Sequence, residues 1–206
     1  MDKTKIAVLV SGGGTNLQAL LDAQAAGTLH SGQIALVVSN VPGAYALERA
    51  KKAGVEALTL TRSDCGGQAG FEAALLSALE SRGIELIILA GFLSILSEAF
   101  VRRYDERILN VHPSLIPSFC GKGFFGLKVH EAALARGVKF TGATVHFVNE
   151  IPDGGRILLQ KPVPVLPGDT PALLQRRVME QAEWILLPEA AELVSSHIQQ
   201  EKEHRQ

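Results

Sequence analysis

Short, nearly continuous apolar runs recur through the first half of the chain, at residues 6–10, 34–38, 58–60, 86–90 and 108–111. None of them alternates polar with apolar positions. A strand of that kind has to be covered on both faces, as in a parallel sheet with helices above and below it. Segments of helical character lie between the runs, at 16–24, 44–53, 70–79 and 96–104, and Gly54 and Gly83 stand where two of them should stop. This alternation predicts an α/β chain: an open, mostly parallel twisted sheet with helices on both faces, joined by right-handed crossovers.

The pattern changes after His112. Residues 113–126 hold two prolines and several glycines, which predicts a long mobile loop. A helix follows at 127–135, then two strands at 141–148 and 156–165 separated by the turn-like stretch 149–155, an antiparallel addition near the C-terminus. Pro162 and Pro164 remove ladder donors, so the last strand belongs at an edge. Residues 171–199 read as an amphipathic helix, kinked or restarted at Pro188. At 206 residues the chain is expected to form one domain, 1–206, with a frayed polar end at 199–206.

A formal net charge of -1 argues against a polyanionic partner, so neither nucleic acid nor an anionic membrane is expected. No apolar run reaches transmembrane length, and the first residues lead into a strand without the pattern of a signal peptide. Cys65 and Cys120 lack ligand-like spacing, and no clustered His, Cys or carboxylate box suggests a catalytic metal. The expectation is a cytoplasmic protein with reduced thiols and no bound metal.

In an open α/β sheet, ligands bind beyond the carboxyl ends of the strands. Four segments fall there. Ser11-Gly12-Gly13-Gly14-Thr15-Asn16 joins the first strand to the first helix, where glycines allow close backbone approach and helix amides attract anions; Thr15 or Asn16 would cap the helix or donate to the anion. Leu17 occupies the third glycine position of a dinucleotide fingerprint, Asn40 replaces the acid expected after the second strand, and there is no Walker lysine, so a phosphomonoester fits better than NAD or ATP. A tight turn would also explain the glycines. The segment 90–97 is apolar and could hold a flat ring through its backbone, or could simply pack a helix onto the sheet through Phe92, Ile95 and Leu96. In Asn110-Val111-His112-Pro113-Ser114, strand periodicity puts Asn110 and His112 on one face, a carboxamide for an oxyanion beside an imidazole for proton transfer. Asp153-Gly154-Gly155 is by itself a turn signature. Of the other histidines, His146 sits on a strand and supports either the site or the core.

These motifs, together with Ala90-Gly91-Phe92 and Val145-His146-Phe147-Val148, occur in the order and spacing of the glycinamide ribonucleotide formyltransferases of purine synthesis, which the sequence closely resembles from about residue 4 to 190. Asn110-x-His112-Pro113-Ser114 with the later Asp153 is similar to the wider folate formyltransferase family, and the first loop points to this branch. The resemblance implies a Rossmann-like formyltransferase fold and transfer of a formyl group from 10-formyltetrahydrofolate, a co-substrate and not a bound cofactor, to 5-phosphoribosylglycinamide. It assigns phosphate binding to Gly14, Thr15 and Asn16. Leu93, Ser94, Ile95, Leu96, Asn110, Asn149 and Asp153 would contact folate; Asn110 and His112 would hold the oxyanion, with His112 the proton donor and Asp153 raising its pKa. Gln68 stands where relatives carry a basic folate contact, some relatives have Arg in place of Ser94, and the loop 118–125 is longer than in many of them. A carboxylate of the last helix would bind the amine, Glu183 in preference to Glu180. The expected partners are small molecules, with the chain a monomer or homodimer. The tRNA-directed members would carry a further C-terminal domain, and the hydrolases an N-terminal regulatory one. Formyl-folate hydrolysis, formylation of another phosphorylated amine and non-catalytic sensing of a phosphorylated metabolite are the competing readings.

Overall fold

The computed structural model describes residues 2–204. Its strands are β1 (Thr4–Val10), β2 (Gly32–Ser39), β3 (Glu56–Thr59), β4 (Leu86–Leu89), β5 (Ile108–His112), β6 (Phe140–Phe147) and β7 (Ile157–Pro164). They form one seven-stranded sheet in the order β3-β2-β1-β4-β5-β6-β7. The pairs from β3 to β5 are parallel, and β5–β6 and β6–β7 are antiparallel. Mostly parallel strands and an antiparallel C-terminal addition are what the apolar runs and the short 149–155 connection predict. The prolines of β7 fall at the sheet edge, where their missing donors cost nothing.

The helices are α1 (Thr15–Ala25), α2 (Tyr45–Lys52), α3 (Gln68–Glu80), α4 (Glu98–Arg103), α5 (Leu127–Arg136), α6 (Pro171–Val178) and α7 (Trp184–Glu203). One face of the sheet buries Leu17, Leu20 and Leu21 of α1 with Ala133 of α5 and Leu186, Leu187, Ala190 and Ala191 of α7. The other buries Phe71, Leu75 and Leu79 of α3 with Phe100 and Val101 of α4. Full burial of each such leucine or phenylalanine contributes about 1.5–3 kcal/mol. No helix among the described residues is long and apolar enough to cross a membrane.

Two expectations for the C-terminus are corrected. The helix is not interrupted at Pro188, which lies inside α7; the irregularity is a π-helical turn, Met179–Glu183, immediately before it. Proline cannot donate to the carbonyl four residues earlier, yet α7 continues through it to Glu203. The polar end is helical to Glu203 instead of frayed from residue 199. Gln199 donates to the carbonyls of Asp2 and Ser31, Arg107 pairs with Glu201, and Lys202 reaches Glu85 at 2.6 Å. Cross-chain anchors of this kind are not visible in local composition. Arg205 and Gln206 lie outside the described residues.

Candidate active site

The chain winds outward from β1 through β2 to β3, then returns to add β4 on the other side of β1. Between β1 and β4 the connections diverge to opposite faces, which leaves a crevice beyond their carboxyl ends. A cavity of about 480 Å³ opens there, lined by Asn16, Ser94, Asn110, His112, Asp153 and Glu183 among others. A larger groove of about 810 Å³ between α1 and α7 is walled by Ala19, Ala23, Ile185 and Leu193, and the loops after β4 and β5 do not reach it.

The loop after β1 depends on Gly14. Its φ is 72°, and a Cβ placed there would stand 2.6 Å from Cβ of Ala46 in α2. The loop is pinned from outside: Ala46 N–H donates to the Gly12 carbonyl at 3.1 Å and Arg49 Nε to the Gly13 carbonyl at 2.8 Å. No side chain caps α1, contrary to the expectation for Thr15 or Asn16. Thr15 Oγ1 lies 3.9 Å from Met179 Sδ, and Thr15 lines the α1–α7 groove. Asn16 Nδ2 donates to Glu183 Oε2 at 2.7 Å. The first amides of α1 are thereby left without a side-chain acceptor, the arrangement that receives anions. Of the three residues expected to bind phosphate, Asn16 lines the cavity, Thr15 lines the α1–α7 groove, and Gly14 shapes the turn between them and β1.

The loop after β4 divides the two alternatives left open for it. Phe92 and Leu96 are buried in the core, whereas Leu93 and Ile95 are 66% and 65% exposed at the crevice. Glu72 of α3 fixes the loop from below, accepting from Ser97 N–H at 2.7 Å and from the Ser97 hydroxyl. Gln68 Nε2 donates to Glu72 and to the Ile95 carbonyl at 3.1 Å. Gln68 thus buttresses the loop and does not line the cavity, so its donors are used by protein acceptors.

β5 and β6 bring the polar cluster together by register. Asn110 pairs with His146 and His112 with Thr144, so their side chains share one face while Val111 and Val145 enter the core on the other. His146 Nδ1 faces the Phe147 carbonyl at 2.8 Å and so carries the proton; Nε2 then accepts from Asn110 Nδ2 at 3.1 Å. His112 Nε2 donates to the Phe119 carbonyl at 2.9 Å, and its Nδ1 faces Asp153 Oδ2 at 3.5 Å. Asp153 Oδ1 lies 3.6 Å from His146 Nε2, and Oδ2 accepts from Gly121 N–H at 2.8 Å. The β6–β7 turn delivers this carboxylate with Asp153 at φ 57°, and Gly155 passes so close to the Phe147 carbonyl that a Cβ would lie 1.7 Å from it. Asn149 Oδ1 accepts from Ile151 N–H at 3.0 Å and stiffens the same turn.

Burial, which disfavours the charged imidazole, leaves the His112 pKa below its ordinary value; the Asp153 carboxylate and the Phe119 carbonyl pull upward, and His146 pulls down. The expected upward pull of Asp153 is present, but desolvation outweighs it. Burial would raise the Asp153 carboxyl, yet His146, His112 and the Gly121 amide together hold it below its usual range. Glu183, fully enclosed, is pushed up to about 6 by burial despite the Asn16 bond. Glu180, by contrast, is paired with Arg176 at the surface. His146 and Asn40 are polar groups of the site whose roles the motifs did not define. The alternation of Thr144 and His146 against Val145 is the one signal that could have aimed His146 at Asn110.

The chain matches the formyl transferase family model over residues 4–190. It is 44% identical to the trifunctional purine biosynthetic protein adenosine-3 of Gallus gallus over 195 residues, which are 95% of this chain and 19% of that protein. It is 41% identical to the phosphoribosylglycinamide formyltransferase of Haemophilus influenzae over 177 residues, 86% of this chain and 81% of that one. The crystal structure of glycinamide ribonucleotide transformylase 1 from Symbiobacterium toebii superposes with a TM-score of 0.88 at 42% identity, covering 95% of this chain and 89% of that one. The chain therefore spans about a fifth of the trifunctional relative and most of the other two. Since the matched residues take in every loop of the crevice, the chain belongs to the formyl transferase family.

Proposed function

We propose that this chain transfers the formyl group of 10-formyltetrahydrofolate to the primary amine of 5-phosphoribosylglycinamide, a step of purine biosynthesis. The observation that carries the reading is one cavity lined both by Asn16, in the uncapped first turn of α1, and by Asn110, His112 and Asp153. The first suits a phosphate and the second suits acyl transfer. The similarity to proteins named for this reaction supports the same reading.

In this mechanism the phosphate rests on the Gly14–Asn16 main chain, and the folate ring lies against Leu93–Leu96, Asn110 and the 149–153 turn. The amine sits between Glu183 and Asn16, whose buried Oδ1 accepts from no protein group among the described residues. Attack of the amine on the formyl carbon forms a C–N bond and moves the carbonyl electrons onto oxygen, which Asn110 stabilises, joined by His112 once its ring is protonated. Neutral His112 takes the proton released by the nitrogen that has attacked and passes it to the folate nitrogen as the C–N bond to folate breaks. Asp153 holds the imidazolium between the two transfers. With Nε2 donating to the Phe119 carbonyl, this route requires the 113–126 loop to release the ring and the ring proton to stand on Nδ1, facing Asp153, so that Nε2 can accept. The folate is consumed as a co-substrate, and no resident cofactor or metal is called for. The protein is assigned to the cytoplasm, as a monomer or homodimer acting on small molecules through one domain.

The test measures product amide and released tetrahydrofolate with and without 5-phosphoribosylglycinamide. Stoichiometric, amine-dependent release is expected. Equal release without the amine would make the chain a hydrolase, and tight binding without turnover would make it a sensor.

A further inference from the structure

We propose that Ser11, Asn40 and Ser94 form a hydrogen-bonded strut that locks the phosphate loop to the folate loop and turns the Ser94 hydroxyl toward the folate co-substrate as a donor. The assignment of the two loops to phosphate and folate rests on the function proposed above. The strut itself rests on three contacts. Ser11 Oγ accepts from Leu93 N–H at 2.9 Å and donates its single hydrogen to Asn40 Oδ1 at 2.7 Å. Asn40 Nδ2 then donates to Ser94 Oγ at 2.7 Å. Each atom's role is fixed by the one before it, so the Ser94 oxygen is an acceptor in the strut and its own hydrogen remains to be given away. Ser94 lines the cavity on the folate side, next to Ile95, Asn110 and Asp153.

Asparagine suits the middle of this chain because one planar group offers an acceptor on one side and a donor on the other. Its backbone is fixed to the end of β1 by the Asn40 N–H bond to the Val10 carbonyl at 3.4 Å. The loops after β1 and β4 therefore share one rigid joint at the end of β2, and neither shifts without the other. The joint makes Asn40 a positioning residue for both substrates, and coupling of this kind is reciprocal: each substrate tightens the other by the same factor.

The experiment measures the Kd of 10-formyltetrahydrofolate and of 5-phosphoribosylglycinamide, each with and without the other, for wild type, Ser11→Ala, Ser94→Ala, the double variant, Asn40→Ala and Asn40→Asp. Loss of one oriented hydrogen bond is expected to weaken folate binding about fivefold to tenfold in Ser94→Ala. The Ser11→Ala/Ser94→Ala double variant should lose far less than the product of the two single losses, because both act through one strut. Asn40→Asp keeps the acceptor for Ser11 but draws the Ser94 hydrogen to itself, so it should weaken folate and leave the phosphorylated amine unaffected. Asn40→Ala should weaken both. Ser94→Thr should restore most of the affinity lost in Ser94→Ala, and thermal melting excludes unfolding as the cause; if an Ala variant fails to fold, Ser94→Thr and Asn40→Asp carry the test. Multiplicative losses in the double variant, or unchanged folate affinity in Ser94→Ala, would overturn the strut while leaving the proposed function standing. A wild-type protein that binds no formyl-folate would overturn both.

Discussion

Beyond β1 and β4 the crevice is bordered by two loops whose shape is set by main-chain conformation, whereas beyond β5 and β6 it is walled by polar side chains that meet one another. On the first side, the uncapped turn of α1 and the 93–96 loop border the cavity; Thr15 turns to Met179, Asn16 to Glu183, and Phe92 and Leu96 to the core, while Leu93, Ser94 and Ile95 line the opening. On the second, Asn110, His112, His146 and Asp153 meet through their terminal atoms. The difference follows from sheet chemistry. Parallel strands feed helices, whose N-termini present amides; antiparallel neighbours place side chains opposite one another at fixed spacing. Binding by main chain should depend on conformation and little on side-chain identity, and chemistry by side chain should show the reverse.

The largest expected effect lies on the side-chain wall. His112→Ala and Asn110→Ala should each lower kcat by about 10²–10³ while the affinity for the phosphorylated amine stays within a few-fold. Near-normal kcat in either would break the contrast. On the main-chain wall, Gly14→Ala forces a side chain into φ 72° and against Ala46, and should cost about 1–3 kcal/mol of stability with loss of phosphate-substrate affinity. Thr15→Ala beside it should change stability by less than about 0.5 kcal/mol. If the two substitutions weaken binding of the phosphorylated amine equally, the side chain and not the backbone is what binds.

The two buried carboxylates sharpen the contrast through pH. Burial pushes the Glu183 pKa up to about 6 from 4.5, so the folded protein keeps a proton that the unfolded chain has lost. Its contribution therefore favours folding at low pH and fades as pH rises between about 4.5 and 6, by an amount of about 2 kcal/mol. Glu183→Gln should flatten that stretch of the Tm-versus-pH curve and raise Tm at pH 7; an unchanged curve would count against a buried, proton-retaining Glu183. Asp153 has the opposite shift, so its stabilisation is present above pH 3.8 and lost as pH falls below it. A further effect is on the rate profile. Asp153 raises the His112 pKa against the stronger effect of burial, so Asp153→Asn should move the acid limb of kcat/KM to lower pH, with a loss of about tenfold at the plateau. A limb that stays put would separate Asp153 from His112.

Most of the sheet was legible because its information is local. The apolar runs 6–10, 34–38 and 86–90 could only be doubly covered strands, and the prolines at 162 and 164 could only sit at an edge. The C-terminal helix was read less well, because its irregular turn falls at Met179–Glu183 and not at Pro188, and the tail is held by partners as distant as Asp2 and Glu85. Gln68 illustrates the same limit within the site: the resemblance suggested a folate contact there, and only the fold shows that the Glu72 carboxylate and Ile95 carbonyl accept from its amide.

Returning to Asn110 and His112, the sequence by itself determined that they share a strand face, because side chains alternate along an extended chain whatever surrounds them. It also determined that a glycine-rich turn precedes the first helix. Only the tertiary structure decided that His146 stands opposite Asn110, that Asp153, 41 positions beyond His112, returns to face the ring, and that burial outweighs the carboxylate in setting the His112 pKa. Alternation is a property of the backbone, fixed residue by residue. Register, distance across a turn and desolvation depend on where the rest of the chain lies, and they exist only once the sheet has closed over its core.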